Sequence, residues 1–187
     1  MKTISPLALT EAPAAAQPVL AQVNRLLGRV PNMYGVMAHS PATLEAYAQL
    51  SNALRKGTLG ASMAERIALA SAEYNGCNYC LAAHTYTGAK AGLSENDILD
   101  ARKMDSVDPK VNAGLAFTRQ LLAAPNSLSP NDIQRLQEAG YTEGEVLEII
   151  GNVVRNIFSN YVNIVAGTPV DWPPVAHPLN ETTHENR

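Results

Sequence analysis

Helix-start signals recur along the chain, and they constrain its fold more than any other feature. Ser40-Pro41 pairs a capping hydroxyl with a proline at the first helical position, which predicts a helix over 41–56 before Gly57. Ser62-Met63-Ala64-Glu65 fits a capping box, in which the first and fourth side chains satisfy each other's orphan amides; it predicts a second helix stopping at Asn75-Gly76. A third is expected from Cys77 to Ala91, and a fourth from the Ser94 cap through Ala101. Asp108-Pro109 opens a fifth, to about Ala124, and Ser129-Pro130 a sixth, to Ala139-Gly140. Thr142-Glu143-Gly144-Glu145 is another capping box, opening a helix that runs to about Val165. No segment alternates with a period of two, so no sheet is expected. The class is all-α, with about six to eight helices. Leu93-Ser94-Glu95-Asn96-Asp97-Ile98 recurs as Leu128-Ser129-Pro130-Asn131-Asp132-Ile133, a weak echo of two related helical halves, since Ser-x-x-Asp is also simply how helices begin.

Composition fits closely packed helices. The 187 residues include 28 alanines, and only 17% are charged, against a usual ~25%. Such a surface has less charge than a monomer usually carries, which points to self-association. A net charge of −3 supplies no basic field for nucleic acid or anionic lipid. The longest uncharged stretches, Val30–Leu44 and Asn156–Val170, are too short and too polar to span a bilayer, which takes ~20 apolar residues. The N-terminal apolar patch is broken by Pro6 and ended by Glu11, unlike a secretory leader, so a cytoplasmic location is expected. Residues 1–17 read as a loose Pro/Ala-rich arm and residues 18–167 as one helical domain. Residues 168–187 read as a Pro-rich tail able to lie over a neighbouring subunit, anchored by Trp172. His177 and His184 belong to that tail. Met33, Tyr34, Met37 and His39 form a patch before the Ser40 cap that reads as packing rather than as a substrate pocket, and Phe117, Phe158 and Tyr161 read as core.

The chemistry concentrates in Glu65–His84. Both cysteines of the chain lie here, as Cys77-Asn78-Tyr79-Cys80 at a helix start, where amide N–H groups and the helix dipole favour a thiolate. Cys-x-x-Cys brings two sulfurs within bridging distance, so a disulfide can form and break reversibly. His84 follows Cys80 by four residues and shares its helix face, where an imidazole can take a thiol proton. If the Asn75-Gly76 turn folds the preceding helix back, Glu65 comes beside His84 and can orient the ring. Each residue has a plainer role. Cys77, Cys80 and His84 can serve as three metal ligands, although zinc sites ordinarily use four, or three with an open position. Glu65 can be only a cap residue, His84 a core histidine and Tyr79 a packing residue, and Glu73 competes for the carboxylate role. The dipole favours Cys77 as the more acidic thiol and proximity to His84 favours Cys80; the second argument is the more specific, because the dipole effect is often below ~1 kcal/mol.

Taken together, Glu65, Cys77-x-Tyr79-Cys80 and His84 resemble the signature of the carboxymuconolactone decarboxylase superfamily, and more closely its alkyl hydroperoxidase D branch with the peroxidase-related members. The flanks are similar too: Arg29-Val30-Pro31-Asn32 with Ser40-Pro41, then Gly92-Leu93-Ser94, then Gly167-Thr168-Pro169-Val170-Asp171, so that the resemblance covers roughly 25–175. It implies an all-helical fold assembled as trimers or hexamers, and thiol peroxidase activity without haem, metal or other cofactor. It also implies roles: Cys80 reacts with peroxide, Cys77 resolves the product, and His84 with Glu65 relays protons. The partners would be a hydroperoxide substrate and an external dithiol. Some members carry a histidine within the Cys-x-x-Cys where this chain has Tyr79, so a second-histidine relay is ruled out. The superfamily's decarboxylases generally lack the cysteine pair, which argues against lactone decarboxylation. The alternatives are a thiol-disulfide oxidoreductase or redox adaptor, a lyase or hydrolase using Glu65 and His84, and a metal clip.

Overall fold

A computed structural model describes residues 4–175. Among these, nine α-helices and one short 3-10 turn account for the regular structure, and there is no strand. In chain order the helices are α1 (Gln17–Leu27), α2 (Asn32–Met37), α3 (Pro41–Leu54), α4 (Ala61–Asn75), α5 (Asn78–Lys90), α6 (Glu95–Lys103), α7 (Pro109–Ala123), α8 (Pro130–Glu138) and α9 (Glu143–Ala166). The 3-10 turn is Pro125–Ser127. The all-α expectation holds.

The helix α4 is the axis of the molecule. Ile67, Ala68, Leu69, Ala70, Ser71 and Ala72 are all buried, and a helix apolar on every side must be enclosed on every side. The helices α5, α6, α7 and α9 enclose it. One flank, with Leu69 and Ala72, joins α1–α3, α5 and both cysteines in one apolar cluster; the other, with Met63, Ile67 and Ala70, joins α7, α8 and α9 in a second. Each fully buried Leu or Ile contributes roughly 1.5–3 kcal/mol.

The cap signals at Ser40, Ser94, Asp108, Ser129 and Thr142 all operate; those at Ser94, Ser129 and Thr142 are reciprocal capping boxes. The Ser62 box does not form. Gly60 is the N-cap of α4 and offers no side-chain cap, Ser62 accepts a hydrogen bond from Arg66, and Glu65 lies too deep in the helix to cap. Position sets this outcome. Gly60 can take the φ of +84° at which the chain enters α4, so the helix starts two residues earlier than a box at Ser62 requires. Met63 rather than Glu65 then occupies its third position.

Two helices lie where the sequence reading placed none. α1 has no side-chain cap, only Pro18 in its first turn, and α2 is a six-residue helix behind Pro31. The described part of the arm is packed. Ile4 N–H donates to Ala166 O and Leu7 N–H to Gly35 O, while Ala12 and Ala16 are buried. A Cβ at position 35 would lie 2.7 Å from the Leu7 carbonyl oxygen, so glycine is what lets the arm approach α2. The described part of the tail, residues 168–175, also contacts its own chain. Asp171 accepts from Arg29 at 2.5 Å and from the Asn32 amide at 2.9 Å, and the Trp172 ring lies against Arg29 and Tyr86. Phe117 is buried and Phe158 packs on the core, but Tyr161 is exposed. His177 and His184 lie outside the described residues.

Candidate active site

The turn between α4 and α5 builds the site. Gly76 closes α4 in the left-handed conformation (φ +68°), which reverses the chain within two residues and makes Cys77 the N-cap of α5. Cys77 and Cys80 therefore sit one helical turn apart, with Cα atoms at 5.3 Å, and are joined by a disulfide. Both are buried. Their surroundings differ. The Cys80 amide donates to Cys77 Sγ at 3.2 Å, whereas the Cys80 sulfur receives Asn163 Nδ2 at 3.3 Å from α9.

Because α5 runs back along α4, Glu65 comes beside the middle of α5. Its Oε2 lies 2.9 Å from His84 Nδ1 and accepts from Thr87 Oγ1 at 2.6 Å. Cys80, His84 and Thr87 follow at four and three residues, so one face of α5 carries all three. Burial pushes the Glu65 carboxyl upward, but the His84 charge and the hydrogen bonds from His84 and Thr87 outweigh it, and its pKa ends below the ordinary carboxylate value. An ionised Glu65 fixes the ring through Nδ1 and leaves Nε2 as the nitrogen free to exchange a proton.

Glu73, the rival carboxylate, is committed elsewhere: its Oε2 accepts from Arg102 Nε at 2.8 Å in a buried pair with α6. Tyr79 does not bond to sulfur. Its hydroxyl accepts the Met33 amide at 3.2 Å and so ties the start of α2 to α5, and burial holds the phenol well above its ordinary pKa. The three groups of a metal clip do not converge, since the two sulfurs are bonded to each other and His84 Nδ1 is directed at Glu65. Among the described residues no other cluster of His, Cys, Asp or Glu could hold a metal.

A cavity of about 350 Å³ opens on this site. Cys80, His84, Glu65 and Thr87 line it, and Cys77 does not. Met33 and Tyr34, expected only to pack, also face it, together with Tyr79 and Trp172. Burial and the neighbouring Tyr47 keep the Tyr34 phenol well above its ordinary pKa, so it stays a neutral wall. Asn163, Arg155 and Thr87 were not singled out from the sequence. Thr87 was within reach, at the next position of the Cys80–His84 face. The signal for the others was a row of asparagines at helical spacing in α9, Asn152, Asn156, Asn160 and Asn163, all of them buried.

The model of the carboxymuconolactone decarboxylase family matches residues 41–121. An uncharacterized peroxidase-related protein with an alkylhydroperoxidase AhpD core, from Ralstonia eutropha JMP134, superimposes with a TM-score of 0.79 at 23% identity, covering 90% of this chain and 93% of that one. A cysteine-to-alanine variant of the debrominase Bmp8, in complex with 2,3,4-tribromopyrrole, gives 0.74 at 22% identity, covering 90% and 91%. A peroxidase-related protein from Silicibacter sp. TM1040 gives 0.74 at 21%, covering 94% and 93%. No curated protein sequence matches the chain. At these identities the structural likenesses establish the shared fold, and the family match agrees with the resemblance drawn from Glu65, Cys77, Cys80 and His84.

Proposed function

We propose that this chain, whose residues 41–121 belong to the carboxymuconolactone decarboxylase family and whose fold is that of the AhpD-like peroxidase-related proteins, is a thiol peroxidase that reduces organic hydroperoxides. One observation carries the reading. Of two cysteines close enough to form a reversible disulfide, only Cys80 lines the cavity, and that cavity also holds a Glu65–His84 pair.

In the reduced protein His84, oriented by Glu65, takes the proton of the Cys80 thiol, directly or through a water. The thiolate attacks the terminal oxygen of R–O–OH. The O–O bond breaks, a sulfur–oxygen bond forms, and the leaving alkoxide takes the proton held on His84 and departs as ROH. Cys80 is then a sulfenic acid. Cys77 attacks the Cys80 sulfur and water leaves, giving the disulfide seen in the structure. An external dithiol reduces it through a mixed disulfide and is itself oxidised. No group outside the chain is required beyond the hydroperoxide and the dithiol.

The low charge of the chain and an exposed apolar row on α9 (Leu147, Val154, Tyr161 and Val165) support a homo-oligomer, for which we favour a trimer or hexamer. Among the described residues no helix is long and apolar enough to cross a membrane, and we place the enzyme in the cytoplasm, where the dithiol would be available.

The test is a stopped-flow comparison of the reduced protein with an alkyl hydroperoxide, hydrogen peroxide, a small disulfide and a brominated pyrrole. Faster oxidation by the alkyl hydroperoxide than by the disulfide supports the proposal. Oxidation by the disulfide alone would make the chain a thiol-disulfide oxidoreductase. Bromide release from the pyrrole without peroxide turnover would place it with the debrominase.

A further inference from the structure

The cavity around Cys80 has two unlike walls. One is a strip of α9, in which Asn152, Arg155, Ser159 and Asn163 follow at intervals of three and four and so share a helix face. The other is apolar, built from α1 and α2 by Val23, Leu26, Met33 and Tyr34. Asn163 stands at the Cys80 sulfur. Arg155 stands eight residues earlier on the same helix, about 12 Å along its axis at 1.5 Å per residue.

Arg155 is a cation without an ion-pair partner among the described residues. Its Nε is buried and has no hydrogen-bond partner. The one carboxylate sharing the cavity, Glu65, feels the Arg155 charge, but its Oε2 is taken by His84 and Thr87. A buried donor left unmatched is costly, and a guanidinium fork matches a carboxylate in two parallel hydrogen bonds. Arg55, at the C-cap of α3, lines the same cavity from an exposed position and adds positive charge at that end.

We propose that the cavity receives an elongated organic hydroperoxide that carries a carboxylate, with the carboxylate on Arg155, the hydrocarbon against the α1–α2 wall and the O–O bond at Cys80. The proposal rests on the peroxidase reading for its chemistry, and the reaction at Cys80 is the one written above. A span of about 12 Å corresponds to roughly ten bonds of extended chain, taking three bonds per 3.3–3.6 Å. A volume of about 350 Å³ is near the lower end for small-molecule sites, which suits one such chain and excludes bulky lipids.

The probes are 10-hydroperoxydecanoate and its methyl ester, which differ in the charge of one end. In stopped flow the reduced wild-type protein is expected to react about tenfold or more faster with the carboxylate, as a charge-assisted pair implies. Arg155→Met should bring that ratio to about one, and Arg155→Lys should keep part of it. A ratio near one in the wild type, or one that survives in Arg155→Met, overturns the proposal. Calorimetry with decanoate and methyl decanoate reads the same recognition without any reaction. If neither hydroperoxide reacts, yet decanoate binds about tenfold tighter than its ester in the wild type and not in Arg155→Met, the carboxylate site stands and the peroxidase reading falls. If both hydroperoxides react equally and decanoate shows no preference over its ester, the carboxylate site falls and the peroxidase reading stands.

Discussion

The two ends of α4 each carry a glutamate paired with a basic side chain, and the pairs are built for different ends. Glu73, near the C-terminus, meets Arg102 in a pair whose side chains are 8% and 3% exposed, between two helices and away from the cavity. Glu65, near the N-terminus, meets His84 with both side chains about one-fifth exposed, on the wall of a cavity that Cys80 also lines. Glu73 has a permanent cation and packing around it. Glu65 has an imidazole held at Nδ1 and an opening to a small molecule. The same side chain on one helix thus joins two buried elements at one end and, in the function proposed, serves the chemistry at the other; burial and access to the cavity separate the two.

That contrast can be broken at either end. The largest expected effect on stability is at the closed end. Glu73→Ala removes the buried carboxylate that accepts from Arg102 Nε and should cost about 3 kcal/mol in chemical denaturation. The rate of Cys80 oxidation per folded molecule should hardly change, and an equal loss of that rate would erase the contrast. Leu115→Ala, in the cluster that excludes the site, should cost about 2–5 kcal/mol with the same indifference of the chemistry.

At the open end the signs reverse. Glu65→Gln should lower the rate of Cys80 oxidation at neutral pH about 100-fold while costing less stability than Glu73→Ala. Its pH dependence is also set. The folded-state pKa of Glu65 lies below the ordinary 4.5, so its contribution to stability is complete above that value and is lost as pH falls through the lower folded one. Wild-type protein should therefore lose stability below pH 4.5 more steeply than Glu65→Gln does, as acid titration followed by circular dichroism would record. Parallel curves would mean that Glu65 is not held ionised. The smallest effect belongs to neither end: Ser94→Ala, which removes a capping box on α6, should cost about 1 kcal/mol and leave both pairs intact.

Much of this arrangement was legible in the chain, because local rules govern it. Five cap signals placed five helices, and the Cys80–His84 spacing put a sulfur and an imidazole on one face. Asn75-Gly76 implied the reversal that brings Glu65 to His84. Other features escaped. The helix α1 has no side-chain cap to announce it, and Ser62 mimics a cap that Gly60 supplies through its backbone. The seating of Asp171 and Trp172 on Arg29, Asn32 and Tyr86 joins residues more than 80 apart in sequence, which no local pattern encodes. Asn163 and Arg155 fall in the same class, as they become site residues only when α9 packs along α4 and α5.

The central claim is that Cys80 is the sulfur that meets the hydroperoxide and Cys77 the one that follows. Reduced Cys77→Ser and Cys80→Ser proteins, each treated with one equivalent of alkyl hydroperoxide and a sulfenic-acid trap, test it by intact mass. The account predicts one trapped sulfenic acid on Cys80 in Cys77→Ser and none in Cys80→Ser. A sulfenic acid trapped on Cys77 in the Cys80→Ser protein, with none on Cys80 in its counterpart, would contradict it.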